Sequence, residues 1–166
     1  RLDELNALDD EAARRELLRC CGSTQWAARM AAARPFADAA ALIDRADAIW
    51  WSLQPDDWLD AFAAHPRIGG TGGARAGETR EWSVQEQSGV AGAARAVAER
   101  LAIGNRDYEA RFGYIFIICA TGRSAAEMLD ALERRLANPP DRELRVAAEE
   151  QRTITRLRLE KLLHAA

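Results

Sequence analysis

Apolar residues recur every three to four positions along most of the chain, which is the spacing of amphipathic α-helices. Residues 38–53 show this most clearly, since one helical face collects the apolar side chains of Leu42, Ile43, Ala46, Ile49, Trp50 and Leu53. Comparable stretches predict further helices at residues 11–21, 24–34, 55–64, 84–102, 105–112, 124–137 and 141–163. The pattern predicts an all-α fold, a single-domain helical bundle of about eight helices that comprises residues 1–166.

Residues that favour helix ends support these boundaries. Ser23 can cap the helix that follows it, and Pro55 suits a first helical position. Ser124 and Glu127 match the S-x-x-E capping box. Gly104 is expected to break the helical pattern that continues to residue 112, because glycine weakens a helix interior.

Residues 114–120, with the sequence YIFIICA, are the exception to the helical pattern. Aromatic and β-branched residues are typical of a strand, but no second convincing strand exists in the sequence to pair with this one. We therefore expect a buried extended segment inside an all-helical protein.

Composition excludes several classes of protein. With 48% hydrophobic and 30% charged residues among 166, the chain has the balance of one soluble globular domain. Its net charge of −3 provides no basic field, so nucleic acid is not expected as a partner. The longest apolar run, residues 114–120, is far shorter than the roughly 20 residues of a membrane span. The polar and acidic start RLDELNALDD does not resemble a signal peptide.

Cysteines and histidines are few. Cys20, Cys21 and Cys119 are odd in number and form no CxxC motif, so we expect no disulfide framework and a reducing, cytoplasmic environment. The two histidines, His65 and His164, are far apart in the sequence, and the chain has no HxxxH motif. No metal site is expected.

His65 is the first candidate for chemistry. Pro66 disfavours helical backbone at His65, so the preceding helix should end at Ala64. His65 then opens the loop HPRIGGTGGARAGE, residues 65–78, which contains five glycines. A histidine in this position can exchange protons near neutral pH. It can equally cap the preceding helix, and the local sequence leaves both interpretations open.

Glu86 is the second candidate, although its neighbours favour a structural role. Ser83 and Glu86 match the S-x-x-E capping box, so the pattern by itself favours a helix cap. The two roles are compatible, because a carboxylate at a helix N-terminus lies beside free backbone N–H groups that also bind anions.

Arg158 is the third candidate. On a helical projection of residues 141–163 it lies inside the arc that should face the core, whereas Arg152 and Arg156 lie at or beyond its edge. A guanidinium on such a face needs a partner, because an unpaired buried charge is costly. The partner is either a carboxylate of another helix or a substrate carboxylate, which arginine can bind through two parallel hydrogen bonds.

Four segments of the chain resemble the OHCU decarboxylases, a family that acts on 2-oxo-4-hydroxy-4-carboxy-5-ureidoimidazoline. They are HPRIG at 65–69, WSVQEQSG at 82–89, RFGYIFIICATGRS at 111–124 and ITRLRLEKLL at 154–163. The resemblance extends over nearly the whole chain, and the order of the segments is more specific than any one of them.

The resemblance implies an all-helical homodimeric enzyme that completes the conversion of urate to (S)-allantoin without a cofactor. It implies catalytic roles for His65, Glu86 and Arg158. It implies substrate contacts at Pro66, Ser83 and Gln87, and at the main chain of Ile117, Ile118, Cys119, Ala120 and Thr121. The glycine-rich residues 70–81 match no motif of the family, so the resemblance assigns them no role.

Two other functions are compatible with the residues. A helical binding module without catalytic activity explains the helices and the charge, but it gives no reason for a proline-fixed histidine beside a glycine-rich loop. A hydrolase of a related ureide, with His65 as general base, is the alternative among enzymes. Release of CO2 distinguishes a decarboxylase from this hydrolase.

Overall fold

The computed structural model describes residues 1–67 and 91–165, and within these ranges the chain forms eight α-helices and no β-strand. The helices are α1 (Leu2–Ala7), α2 (Asp10–Leu18), α3 (Thr24–Ala32), α4 (Ala39–Ser52), α5 (Pro55–Ala63), α6 (Ala91–Phe112), α7 (Ala125–Leu136) and α8 (Pro140–His164). The predicted all-α class is confirmed. The short α1 was not among the predicted helices, and the predicted helix start at residue 84 lies outside the described residues.

The helices form two compact units, one comprising Arg1–Ala64 with Ala148–Ala166 and the other comprising His65–Ala147. The two units share α8, whose N-terminal part belongs to the second unit and whose C-terminal part belongs to the first. The single domain predicted for residues 1–166 stays a prediction. Nowhere in the two described ranges is a helix long and apolar enough to cross a membrane.

Tryptophan side chains connect the helices of the unit Arg1–Ala64 with Ala148–Ala166. The Nε1 atom of Trp26 on α3 donates a hydrogen bond to the Ala46 carbonyl of α4 at 3.1 Å. Trp58 on α5 donates to the Trp50 carbonyl near the end of α4, and Trp50 donates to the Ala148 carbonyl of α8, both at 3.0 Å. These bonds satisfy the indole N–H groups of buried Trp26 and Trp50 and of half-buried Trp58, so each ring contributes both packing and a polar link.

The predicted helix starts are confirmed at three sites. The Ser23 hydroxyl accepts a hydrogen bond from the Trp26 backbone N–H at 3.2 Å, and Pro55 is the first residue of α5. Ser124 and Glu127 form a reciprocal capping box at the start of α7. Each device depends on residues within one helical turn, which is why it could be identified from the sequence.

The predicted break at Gly104 is wrong, because α6 is continuous from Ala91 to Phe112. A Cβ atom on Gly104 would lie 2.6 Å from the Leu132 Cδ2 atom of α7. The glycine therefore lets the two helices pack closely, and buried Leu101 and Tyr108 lie in the same core cluster. Close packing of this kind offsets the roughly 1 kcal/mol by which glycine weakens a helix.

The segment after α6 is non-helical, and its central residues are buried as predicted. Gly113 ends the helix with a left-handed φ of 83°, and residues 114–120 form neither helix nor strand. The side chains of Phe116, Ile117, Ile118 and Cys119 are all buried. Phe116 and Ile118 belong to a core cluster that also contains residues of α6 and α7.

Candidate active site

His65 follows α5 after a single intervening residue, Ala64, and both His65 and Pro66 are half-buried. The end of α5 before Pro66 agrees with the prediction. Arg67 forms a bidentate ion pair with Glu109 of α6, with N···O distances of 2.6 and 3.0 Å. This ion pair attaches the main chain two residues beyond His65 to α6.

Arg158 lies half-buried on α8, beside the residues that form the core-facing side of that helix. The predicted core-facing arc is confirmed by the buried side chains of Ala147, Ala148, Gln151, Thr155 and Leu159. Arg156, which the projection placed outside the arc, is exposed.

Two buried thiols lie within the electrostatic reach of Arg158. Burial raises the pKa of Cys20 and of Cys21 to about 11, although the Arg158 charge acts in the opposite direction on both. The thiols are therefore protonated at neutral pH and are poor nucleophiles. All three cysteines of the chain are free and buried, and Cys119 is buried as predicted.

The end of α5 packs against Gly22, which directly follows the two thiols Cys20 and Cys21. A Cβ atom on Gly22 would lie only 2.3 Å from the Ala64 Cβ atom. Glycine is thus required for the C-terminus of α5 to approach this closely. Ala64 and Arg158 therefore both lie near residues 20–22, and Ala64 is the residue directly before His65.

In the segment Ile117–Thr121, the polar groups of interest are the N–H and C=O groups of the main chain. The side chains of Ile117, Ile118 and Cys119 are buried, whereas Ala120 and Thr121 are exposed. The Ile117 carbonyl accepts a hydrogen bond from the Arg135 Nη1 atom at 2.7 Å. The Ala120 carbonyl accepts from the Arg123 N–H at 3.1 Å, which closes a turn.

The predicted site residues are distributed over the two units and the undescribed part of the chain. His65, Pro66 and the segment Ile117–Thr121 belong to the unit His65–Ala147, and Arg158 belongs to the other unit. Glu86, Ser83 and Gln87 lie outside the described residues. Among residues 1–67 and 91–165, no group of three or more His, Cys, Asp and Glu side chains could hold a metal ion.

The structure also contains a polar cluster that the sequence reasoning missed. Arg135 and Glu143 are buried and form an ion pair, and Tyr108 and Asn138 both donate hydrogen bonds to Glu143. Burial and the hydrogen bond to Glu143 raise the pKa of Tyr108. The signal available in the sequence was the position of Arg135, which lies four residues after Ala131 on the apolar stripe of its helix.

Comparison with known proteins places the chain in a class and then in a family. The OHCU decarboxylase family model matches residues 6–160, which is nearly the whole chain. The class is that of the all-α proteins. Within it, the chain belongs to the OHCU decarboxylase family.

Individual relatives agree with this assignment. The uric acid degradation bifunctional protein TTL of Arabidopsis thaliana is 44% identical over 146 residues, which are 86% of this chain and 45% of the plant protein. The chain thus spans less than half the length of that relative. A putative 2-oxo-4-hydroxy-4-carboxy-5-ureidoimidazoline decarboxylase of Homo sapiens is 34% identical over 80% of this chain and 77% of its own length.

A solved structure shares the fold. The chain is similar to an OHCU decarboxylase crystallised in the presence of (S)-allantoin, with a TM-score of 0.75 and 38% sequence identity. The similarity covers 93% of this chain and 98% of the solved chain.

Proposed function

We propose that this chain decarboxylates 2-oxo-4-hydroxy-4-carboxy-5-ureidoimidazoline to (S)-allantoin and CO2, the last step of urate degradation to allantoin. The observation that carries the proposal is the similarity to a solved OHCU decarboxylase over nearly the full length of both chains. Catalysis is assigned to His65, Glu86 and Arg158, which stand at the positions that the family resemblance implies.

Arg158 is the proposed clamp for the anionic or carbonyl oxygens of the substrate. Its guanidinium presents donors in a planar fork that matches a carboxylate. It is half-buried on α8 next to thiols that are uncharged at neutral pH, so neither Cys20 nor Cys21 competes for it as an anion. A fixed, partly desolvated cation of this kind positions a substrate and need not take part in proton transfer.

His65 and Glu86 are the proposed proton carriers. One of them removes the proton of the substrate hydroxyl group, and one delivers a proton to the adjacent ring carbon, which bears the ureido group and gains the new C–H bond of allantoin. Both assignments of the two steps are compatible with the residue types. The half-buried position of His65 directly after α5 supports a proton-transfer role, because its backbone is held by α5 on one side and by the Arg67–Glu109 ion pair on the other.

The remaining substrate contacts are assigned to Pro66, Ser83 and Gln87, and to the main chain of Ile117, Ile118, Cys119, Ala120 and Thr121. The burial of the first three side chains of that segment supports this assignment. A segment whose side chains are packed inward offers its peptide groups as the polar contacts, and fixed peptide groups orient a small polar ring well.

The substrate supplies its own electron sink. Loss of CO2 leaves an electron pair on the ring carbon, and the adjacent C=N bond of the ureidoimidazoline can accept it. The protein then has to hold the substrate, transfer protons and select one face of the ring. We therefore propose a reaction without a cofactor.

The oligomeric state and the cellular location of the protein are proposed as well. We propose a homodimer, as the family resemblance implies. We propose the cytoplasm, because three free and buried thiols suit a reducing compartment.

The test is to generate the unstable substrate from urate in deuterated water with the two preceding enzymes, and then to add this protein. We expect faster decay, CO2 release in step with it, and optically active (S)-allantoin that carries deuterium at its new C–H bond. A binding module would leave the rate and the handedness unchanged, and a ureide hydrolase would release no CO2. Faster decay to racemic product would contradict the proposed face selection.

A further inference from the structure

Four polar side chains meet in the interior of the unit His65–Ala147. The Glu143 carboxylate accepts hydrogen bonds from the Tyr108 hydroxyl at 2.6 Å, from Arg135 Nε at 2.7 Å and from Asn138 Nδ2 at 2.9 Å. A second Arg135 nitrogen, Nη2, lies 2.6 Å from the same carboxylate. Glu143 is 0% exposed and Arg135 is 7% exposed.

The charges of this cluster are balanced within the protein, although the buried Arg135 Nη2 atom faces Glu143 without a well-aligned hydrogen bond. Both carboxylate oxygens of Glu143 accept hydrogen bonds from protein groups, and the positive charge of Arg135 is balanced by Glu143. The Arg135 guanidinium also lies over the Phe116 ring, 4.5 Å from its centroid. Arg135 is therefore held on several sides and is unsuited to binding a substrate carboxylate, which distinguishes it from Arg158.

One nitrogen of Arg135 does not contact Glu143. Its Nη1 atom donates to the Ile117 main-chain carbonyl at 2.7 Å. Among the described residues the only cis peptide bond is Arg34–Pro35, so the Ile117–Ile118 peptide is trans. In a planar trans peptide the C=O and N–H groups point in opposite directions. The Ile118 N–H therefore points away from Arg135.

We propose that Arg135, held by Glu143, is a positioning residue for the decarboxylase reaction. It fixes the Ile117–Ile118 peptide so that the Ile118 N–H is directed at an acceptor oxygen of the ureidoimidazoline substrate. This inference rests on the proposed function, which assigns the main chain of residues 117–121 to substrate binding.

The chemistry of the pair supports a positioning role. A buried ion pair often stabilises a fold no better than apolar side chains of the same size, but it can specify one conformation. Only a guanidinium has enough donors in fixed geometry to bind a carboxylate and a main-chain carbonyl at the same time. A lysine at this position could keep the charge facing Glu143 but could not hold the Ile117 carbonyl with the same geometry.

The test compares Arg135→Lys with the matched control Tyr108→Phe. Tyr108→Phe removes one hydrogen bond to Glu143 but leaves both contacts of Arg135 intact, so it reports the effect of a loosened cluster alone. With substrate generated in place, Arg135→Lys should raise KM roughly tenfold, the effect of about one lost substrate hydrogen bond. It should also lower the optical purity of the allantoin, whereas Tyr108→Phe should keep the KM and the optical purity of the wild type.

Two other outcomes distinguish a failure of the positioning role from a failure of the proposed function. If Arg135→Lys and Tyr108→Phe have the same KM and the same optical purity, the positioning role is overturned while the proposed function stands. If the wild-type chain does not accelerate substrate decay, the proposed function fails and this inference fails with it.

A second measurement applies if Arg135→Lys does not fold. In the ¹⁵N-labelled wild-type chain, titration with (S)-allantoin, the proposed product, should shift the Ile118 amide resonance and leave that of buried Ala131 on α7 in place. An Ile118 resonance that does not move at saturating (S)-allantoin overturns the inference.

Discussion

The role open to an arginine in this protein depends on what surrounds its guanidinium. Arg135 is buried against Glu143, and its charge is balanced inside the fold. Arg67 is exposed and pairs with Glu109 in a bidentate ion pair. Arg158 lies half-buried near thiols whose raised pKa keeps them neutral. Arginine is abundant in the sequence, and its surroundings differ between Arg135, for which we propose a positioning role, the surface ion pair of Arg67, and Arg158, for which we propose a clamp.

At the residue scale, His65→Asn should leave thermal unfolding nearly unchanged and reduce kcat by roughly a hundredfold or more. Asparagine has similar size and polarity but cannot transfer protons as a general acid or base. The measurement is the rate of substrate decay in the coupled assay, together with a melting curve for each protein.

The control for this prediction is the second histidine of the chain. His164 is exposed at the end of α8, so His164→Asn should keep wild-type turnover. Wild-type turnover in His65→Asn would remove His65 from the mechanism.

Arg158→Lys should lower kcat/KM by roughly ten- to a hundredfold while the protein stays folded. Lysine retains the positive charge but lacks the planar fork that makes two parallel hydrogen bonds to a carboxylate. Arg156→Lys is the matched control, because Arg156 lies two residues away on α8 and is exposed. Equal kcat/KM values for the two variants would refute the clamp.

At the scale of helices, two glycines permit contacts that any side chain would prevent. Gly104 lets α6 approach Leu132 of α7, and Gly22 lets the segment after α2 approach Ala64 at the end of α5. The second contact is the less tolerant one, because a Cβ atom cannot rotate away as the end of a leucine side chain can. The position of the α5 C-terminus, and hence of the residue before His65, depends on it.

Gly22→Ala should therefore destabilise the fold by about 1–3 kcal/mol, the usual cost of overpacking, and should also lower kcat by displacing the end of α5. Gly92→Ala is the control, since a Cβ atom there would meet nothing within 4 Å and alanine favours a helix. Urea unfolding and the coupled assay measure the two effects. A Gly22→Ala variant as stable and active as Gly92→Ala would contradict the close contact.

At the scale of the whole molecule, α8 contributes residues to both compact units. It provides Glu143 to the cluster of the unit His65–Ala147 and Arg158 to the other unit. One helix therefore carries both residues, although only Arg158 was placed on its core-facing arc from the sequence. A substitution that kinks α8 would be expected to disturb both groups together.

The proposed reaction uses only the chain and its substrate, so activity should survive exhaustive chelation and dialysis of the whole protein. The physical reason is that the substrate's C=N bond accepts the electron pair released with CO2. Elemental analysis before and after chelation, with the coupled assay on the same samples, provides the measurement. A stoichiometric metal whose removal abolishes activity, and whose return restores it, would overturn the cofactor-free mechanism.

Much of the fold could be predicted because its signals are local. Ser23, Pro55 and the Ser124–Glu127 box each act within one turn of a helix, and the structure confirms all three. The half-buried position of Arg158 is compatible with the helical periodicity, although Arg152, which the projection placed at or beyond the edge of the arc, is half-buried as well. The break at Gly104 was predicted wrongly, since the gain from packing against Leu132 lies in tertiary contacts that local propensity does not contain.

The sequence by itself determined most of the described helices, several of their ends and the buried non-helical segment, and it gave candidate residues for chemistry. Only the tertiary structure decided which groups those residues meet. Arg135 reaches the Ile117 carbonyl 18 positions back in the chain, and Tyr108 reaches Glu143 35 positions ahead. Helix periodicity gives the direction of a side chain but not the identity of its partner, because a hydrogen bond across 18 or 35 residues depends on how whole helices pack.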